Sequence, residues 1–307
     1  MDFQVPKPSA VLELTMADGA LIRVRRHGNP RGPRLVLSHG NGFAIDAYFP
    51  FWRLFLPDCE VVVYDQRNHG QNPVHGPAGH TLAQMTDDLE TIRRAILDAF
   101  GERKTAGAFH SLSTTVNLLH AAKYGLAWDA LVLFDPPITP ALGHPLHELA
   151  RDFEIALHDW ARQRLRRFRS PDELAARFKD ARRLRRWVPG AAELMARAIT
   201  RPTADGAYEL VCPPDLEASI YVQNAEAPVW AILPRVARDI FVVSSDCAAE
   251  DADPPAKVCA VLPQEFGIAV VAIPDTGHLL QIERPEAVAA AVRGHLRSRG
   301  FAIAPAA

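Results

Sequence analysis

Hydrophobic positions along the chain follow two periods, and the places where one replaces the other mark out the elements. Val11 to Leu14 and Leu21 to Val24 alternate apolar and polar residues on either side of Ala17-Asp18-Gly19, which predicts an antiparallel hairpin at a sheet edge. Leu35-Val36-Leu37 and Val61-Val62-Val63-Tyr64 are instead continuous apolar runs, the pattern of strands buried on both faces. Further runs of this kind stand at Ala130 to Phe134, Ile240 to Val243 and Ile268 to Ile273. Leu82, Met85, Leu89, Ile92 and Ile96 recur at three- and four-residue spacing, so Thr81 to Phe100 is predicted as a helix with one apolar face. Strands alternating with helices imply a mostly parallel central sheet, covered by helices on both faces.

From about Ala141 to Pro228 the strand signature disappears. Leu149, Phe153, Leu157 and Trp160 share roughly one helical face there, so a helical insertion (141–228) is expected between two core segments, 1–140 and 229–307. Its arginines cluster between Arg162 and Arg186, including Arg166, Arg167, Arg169, Arg182, Arg183 and Arg185. A solvated helix surface accounts for such a run; an anion-attracting mouth or a partner surface are the other readings.

At 307 residues, 48% of them hydrophobic, the chain can bury a large core and suits one α/β domain with an insertion. A formal charge of −2 argues for neither nucleic acid nor an anionic membrane as partner, and no nucleic-acid-binding module is recognisable. Cys59, Cys212, Cys247 and Cys259 are scattered without metal or disulfide spacing, so a reduced, cytoplasmic setting fits. The opening MDFQVPKPSAVLELTMADGA lacks an export signature, and no later stretch is apolar enough to span a membrane. A small-molecule substrate is the expected partner, and the oligomeric state stays open.

The chemistry gathers at the ends of the predicted strands. Thr105 to Leu119, TAGAFHSLSTTVNLL, reads as strand, one sharp turn and helix, with Ser111 at the apex. So tight a turn forces φ > 0 on the serine and sets helix N-terminal N–H groups beneath its Oγ. Leu35-Val36-Leu37 runs into Ser38-His39-Gly40-Asn41-Gly42-Phe43, the next strand into Asp65-Gln66-Arg67-Asn68-His69-Gly70, and the last into Pro274-Asp275-Thr276-Gly277-His278. An N-cap, a glycine-rich turn and a surface histidine are the structural readings of these pieces taken singly.

Together they resemble the α/β-hydrolase fold, with a serine nucleophile and a helical cap. The elbow is similar to G-x-S-x-G with Phe109 and Ser113 in place of the glycines. The second loop looks like D-x-R-G-H-G, with Asn68 where glycine is usual. The resemblance implies Ser111 as nucleophile, His278 as base, and an oxyanion hole from the backbone N–H groups of Asn41 and Leu112, with no metal or organic cofactor. For the acid it leaves two places: Asp135, after Ala130 to Phe134, is preferred, and Asp246, in Ser244-Ser245-Asp246-Cys247, is the alternative; Asp251 and Asp253 would need a rearranged loop. The implied activity is acyl-enzyme hydrolysis of a small carboxylic ester. A carbon–carbon bond hydrolase and a non-catalytic ligand receptor on the same fold are the alternatives.

Overall fold

The computed structural model describes residues 3–181 and 186–305; Arg182, Arg183 and Arg185 fall outside the described residues. The strands in chain order are β1 (Ala10–Thr15), β2 (Leu21–Gly28), β3 (Arg34–Ser38), β4 (Glu60–Tyr64), β5 (Thr105–His110), β6 (Ala130–Phe134), three short ones, β7 (Arg167–Phe168), β8 (Thr200–Pro202) and β9 (Tyr208–Leu210), then β10 (Ile240–Ser244) and β11 (Ala269–Ala272). Eight form one sheet in the order β1-β2-β4-β3-β5-β6-β10-β11. The β1–β2 hairpin is antiparallel, and β2 joins β4 antiparallel; every other pairing is parallel.

The continuous apolar runs follow from this layering. Along β4, Val61 and Val63 enter one core and Val62 and Tyr64 the other, because successive side chains of a strand point to opposite faces. The first core also takes in Phe51 and Trp52 from around α1 (Phe49–Trp52). The second takes Met85 and Leu89 of α2 (Leu82–Phe100) and Val116 of α3 (Leu112–Tyr124). The Thr81 Oγ1 accepts from Gln84 N at 3.1 Å and caps α2 where the periodic pattern begins. At the far edge β11 is shorter than its apolar run; the flanking Ile268 and Ile273 are buried while the strand between them is largely exposed.

Between β6 and β10 the segment 141–228 holds α4 (His147–Arg162), α5 (Pro171–Asp180), α6 (Ala191–Ile199) and α7 (Pro214–Glu226). It is not wholly helical: β7, β9 and β8 form a three-stranded antiparallel sheet. Strands of two or three residues are too short to carry a period and were invisible to pattern reading. Among the described residues of the basic run, several are paired at the surface: Arg169 and Arg177 with Glu173, Arg166 with Glu209, and Arg167 with Asp205. Such exposed pairs contribute about 0–1 kcal/mol each. The core resumes with α8 (Val229–Val236), α9 (Pro254–Phe266), α10 (Leu280–Glu283) and α11 (Pro285–Ser298), α11 opening at the proline of Glu283-Arg284-Pro285-Glu286.

Phe109 occupies a place in β5 where the elbow pattern has glycine, and Gly107 makes room for it. A Cβ on Gly107 would stand 2.5 Å from the Phe109 ring and 2.8 Å from Trp128. Gly107→Ala is therefore expected to cost about 1–3 kcal/mol by overpacking. In a double-mutant cycle read by urea denaturation, Phe109→Ala should cost less in the Gly107→Ala background than in the wild type; additive effects would contradict the shared space.

Candidate active site

Ser111 stands between β5 and α3 with φ 49° and ψ −117°, a conformation that costs a residue with a Cβ on the order of 1–3 kcal/mol. Bonds hold it on both sides: Ser111 N–H donates to Phe134 O at 3.2 Å, and Thr114 N–H and Oγ1 donate to Ser111 O at 2.8 and 2.6 Å. His278, on the loop after β11, places Nε2 3.0 Å from Ser111 Oγ, and its Nδ1 lies 2.7 Å from Asp135 Oδ2. Asp135, fully buried at the end of β6, also has φ of 45°. Its Oδ1 accepts from Ser245 N–H and Ser245 Oγ, both at 3.0 Å. A carboxylate so held accepts a hydrogen bond from Nδ1–H of a neutral His278 and leaves Nε2 free to accept from serine.

Asp246 does not reach His278. Its carboxylate accepts from Ala248 N–H and Asp275 N–H, each at 3.0 Å, and so ties down the loop that carries the imidazole. Glu283 Oε2 accepts from Gly277 N–H at 2.6 Å and fixes the same loop one residue before the histidine. Asp251 and Asp253 line the rim of the cavity above Ser111.

The loop after β3 lies against the elbow. A Cβ on Gly40 would stand 2.8 Å from His110 Nδ1 and 3.1 Å from Ser111 Cβ, so only glycine permits this approach. Ser113 Oγ donates to His39 O at 2.5 Å, joining the loop to α3. Asn41 is anchored by its side chain, which donates to Glu217 O of α7 at 2.7 Å. The backbone N–H groups of Asn41 and Leu112 have no acceptor among the described residues, Leu112 because it opens α3, where no helical carbonyl lies four residues back.

Buried histidines position these loops as neutral two-way connectors. His278 O can only accept, so His110 Nε2 donates to it at 2.8 Å; His110 Nδ1 then accepts from Tyr48 Oη at 2.8 Å, which accepts from Gly40 N–H at 3.2 Å. His69 Nε2 accepts from Gly42 N–H at 3.1 Å while its Nδ1 donates to Arg67 O; His39 Nε2 accepts from Gln66 N–H at 3.0 Å while its Nδ1 donates to Gly40 O. Burial drives His110 well below the ordinary imidazole range, His39 to about 4, and His69 and His80 to about 3. His110 is adjacent to Ser111 in sequence, yet its partners lie 62 and 168 residues away, so no local pattern announces this role. Ser245, Tyr48 and Glu283 escaped notice for the same reason. In the second loop, Asn68 has φ of 61° where glycine is usual, with its Oδ1 accepting from His75 N–H at 2.7 Å.

Above Ser111 lies a cavity of about 550 Å³. The 141–228 segment encloses it, so Ser111 is only 8% exposed. Phe153, Leu157 and Trp160 of α4 line it, as the helical face predicted, whereas Leu149 is turned to solvent. Of the described arginines in the basic run, Arg186 reaches the cavity, 3.6 Å from Asp251. No group of three or more His, Cys, Asp or Glu among the described residues is arranged to hold a metal ion, and no described helix is long and apolar enough to cross a membrane.

Buried neutral histidines also give a pH signature. His80, packed on His69, has a folded pKa near 3 against about 6.5 unfolded. The unfolded chain therefore binds more protons between these values, and His80 lowers stability as pH falls below about 6.5. Relative to the wild type, His80→Gln should gain up to about 1.4 kcal/mol of unfolding free energy between pH 7.5 and 5.5. Urea denaturation at the two pH values checks this; an unchanged difference would contradict neutral burial.

Similarity to known proteins points the same way as the fold. A model of the alpha/beta hydrolase family matches residues 35–291. A protein of Stutzerimonas stutzeri (strain A1501), named "Putative carbamate hydrolase RutD", is 34% identical over 94 residues, 30% of this chain and 34% of that one. A like-named protein of Cronobacter sakazakii (strain ATCC BAA-894) is 34% identical over 112 residues, 36% of this chain and 40% of that one. The chain thus spans well under half the length of these relatives. Among solved structures, E-2-(acetamidomethylene)succinate hydrolase has a TM-score of 0.70 at 19% identity, covering 94% of this chain and 100% of that one. A thermophilic esterase from Thermogutta terrifontis has a TM-score of 0.68 at 21% identity, covering 95% and 99%. Such identities speak for shared architecture, and with the family match extending from β3 into α11, the chain belongs to the alpha/beta hydrolase family.

Proposed function

We propose that the protein is a serine hydrolase that works through an acyl-enzyme on a small carboxylic ester, with the 141–228 segment acting as a cap. The observation that carries this reading is the unbroken chain from Asp135 through His278 to Ser111 Oγ, at 2.7 and 3.0 Å, opening into an enclosed cavity. His278 takes the serine proton as Oγ attacks the substrate carbonyl, and Asp135 holds the required tautomer and stabilises the imidazolium that forms. The N–H groups of Asn41 and Leu112 stabilise the oxyanion, each by about 3 kcal/mol. The imidazolium then protonates the leaving group, and the neutral imidazole activates water against the acyl-enzyme.

The name of the partly matching relatives brings in carbamates as a second substrate class. The same machinery suits them, since a carbamate carbonyl passes through the same tetrahedral oxyanion. Turnover of p-nitrophenyl acetate against p-nitrophenyl N-methylcarbamate separates the two. An ester enzyme completes both acylation and deacylation with the acetate and, with the carbamate, stalls as the carbamoyl-enzyme after one burst of nitrophenol, whereas a carbamate hydrolase turns over both.

Ser111→Ala and His278→Ala should abolish turnover of p-nitrophenyl acetate with the fold intact by circular dichroism. Asp135→Asn should lower kcat by up to about four orders of magnitude with little change in KM, while Asp246→Asn costs far less. A severe defect confined to Asp246→Asn would contradict the assignment of the acid.

His278 also sets the pH dependence. Burial disfavours its charged form, but the hydrogen bond and charge of Asp135 outweigh burial and raise its pKa above the ordinary value. A base must be neutral, so kcat/KM should fall on the acid side of that raised value. NMR titration of the imidazole should place it above about 6.5 in the wild type and below that in Asp135→Asn, where burial acts unopposed; an equal or higher value in the variant would contradict this origin.

A further inference from the structure

Glu154 is a charged residue type among the apolar and aromatic side chains of α4 and α7 that line the cavity, and the mechanism does not use it. It projects from α4 among Phe153, Leu157 and Tyr221, in the cavity wall that faces Ser111 and His278. Only 4% of the residue is exposed, and its Oε2 has no hydrogen-bond partner among the described residues. Beside it on α7 stands Asn224, whose Oδ1 is likewise buried and unpartnered. No cation forms an ion pair with Glu154 among the described residues, and a carboxylate left so would pay a desolvation cost of several kcal/mol. Burial instead raises its pKa to about 8, against the milder opposing effects of a hydrogen bond from the Asn224 side chain and the charge of His278. At neutral pH it is therefore mostly the carboxylic acid, offering one O–H donor and one carbonyl acceptor side by side.

We propose that Glu154 is a specificity-determining residue, and that the substrates hydrolysed at Ser111 carry a neutral amide-type group (carboxamide, ureido or carbamoyl) whose N–H and C=O pair with its carboxyl. This rests on the serine-hydrolase reading. Among neutral organic groups, these present a donor and an acceptor on one edge with the spacing of a carboxylic acid, so both bonds form at once. An anionic substrate fits poorly: Asp251, Asp253 and Glu283 line the same cavity, and among the described residues of the basic run Arg186, beside Asp251, is the one that reaches it. A purely apolar substrate would leave the buried carboxyl unmatched, which costs binding.

The test uses ethyl and acetyl esters, with release of acid followed in a pH-stat. Ethyl succinamate carries the amide on the acyl side and 2-carbamoylethyl acetate on the alcohol side. Ethyl 4-methylpentanoate and 3-methylbutyl acetate are their apolar isosteres, and monoethyl succinate is the anionic one. The wild type should prefer the amide over its isostere in kcat/KM by at least about tenfold in one of the two pairs, with monoethyl succinate the poorest acyl-side substrate. Glu154→Leu should lose that preference while keeping turnover of the apolar ester, and Glu154→Gln, which retains a donor and an acceptor, should keep most of it. The proposal is overturned if neither amide is preferred, if the preference survives Glu154→Leu, or if Glu154→Gln behaves like Glu154→Leu. Failure of the wild type on all five esters would overturn the hydrolase reading and this one with it. Equal turnover of amides and isosteres would sink this one alone.

Discussion

The site depends on how its backbone polar groups are satisfied where the parallel strands end. Loops leaving β3, β5 and β11 converge there in a water-poor interior, and each buried N–H or C=O needs a partner or costs about 1–3 kcal/mol. One imidazole meets that need across three loops. His110, next to Ser111, receives Gly40 N–H by way of Tyr48 and donates to His278 O. The distance between Ser111 and His278 is therefore set from beneath by a neutral ring that neither of them can move without breaking a buried bond. His39 and His69 repeat the device on the loops after β3 and β4.

This bonding offsets local strain. Ser111, Asp135 and Asp275 all have positive φ without being glycine, and each belongs to the Ser–His–Asp chain or to the loop carrying it. Each is tied by hydrogen bonds near the strained peptide: Ser111 by Phe134 and Thr114, Asp135 by the β10 carbonyl of Val243, and Asp275 by the Asp246 carboxylate. Rigidity of this kind suits a site whose chemistry tolerates displacements of only a fraction of an ångström. The residue proposed to select substrate, Glu154, lies across the cavity on α4, while α7 both lines the cavity through Tyr221 and anchors Asn41 through Glu217 O.

Much of this was legible in the sequence because it is local. The β-strand runs, the α2 face, the elbow at Ser111 and the Gly-His turn each lie within a window where period or turn chemistry is diagnostic. Asp135 could be preferred to Asp246 because a carboxylate ending a buried strand stands at the sheet edge, although only the bond from His278 separates them. What was hidden is non-local. The accommodation of Phe109 depends on Gly107 and on Trp128 from another element. The short strands β7, β8 and β9 have no period to show, and nothing local marks Glu154, whose burial depends on elements distant in sequence. The arginine run is legible in part: Arg166, Arg167, Arg169 and Arg177 pair with acids at the surface, as the solvated reading has it, but the partners Glu209 and Asp205 come from distant parts of the chain.

The central claim is that Ser111 is a nucleophile made reactive by His278. Labelling with a fluorophosphonate, followed by peptide mapping, tests it most directly because the adduct marks the attacking atom itself. The account predicts a single adduct on the peptide containing Ser111, absent from Ser111→Ala and formed far more slowly in His278→Ala. An unlabelled but folded wild-type protein, or labelling that persists in Ser111→Ala, would contradict it and favour a ligand-binding role for the cavity.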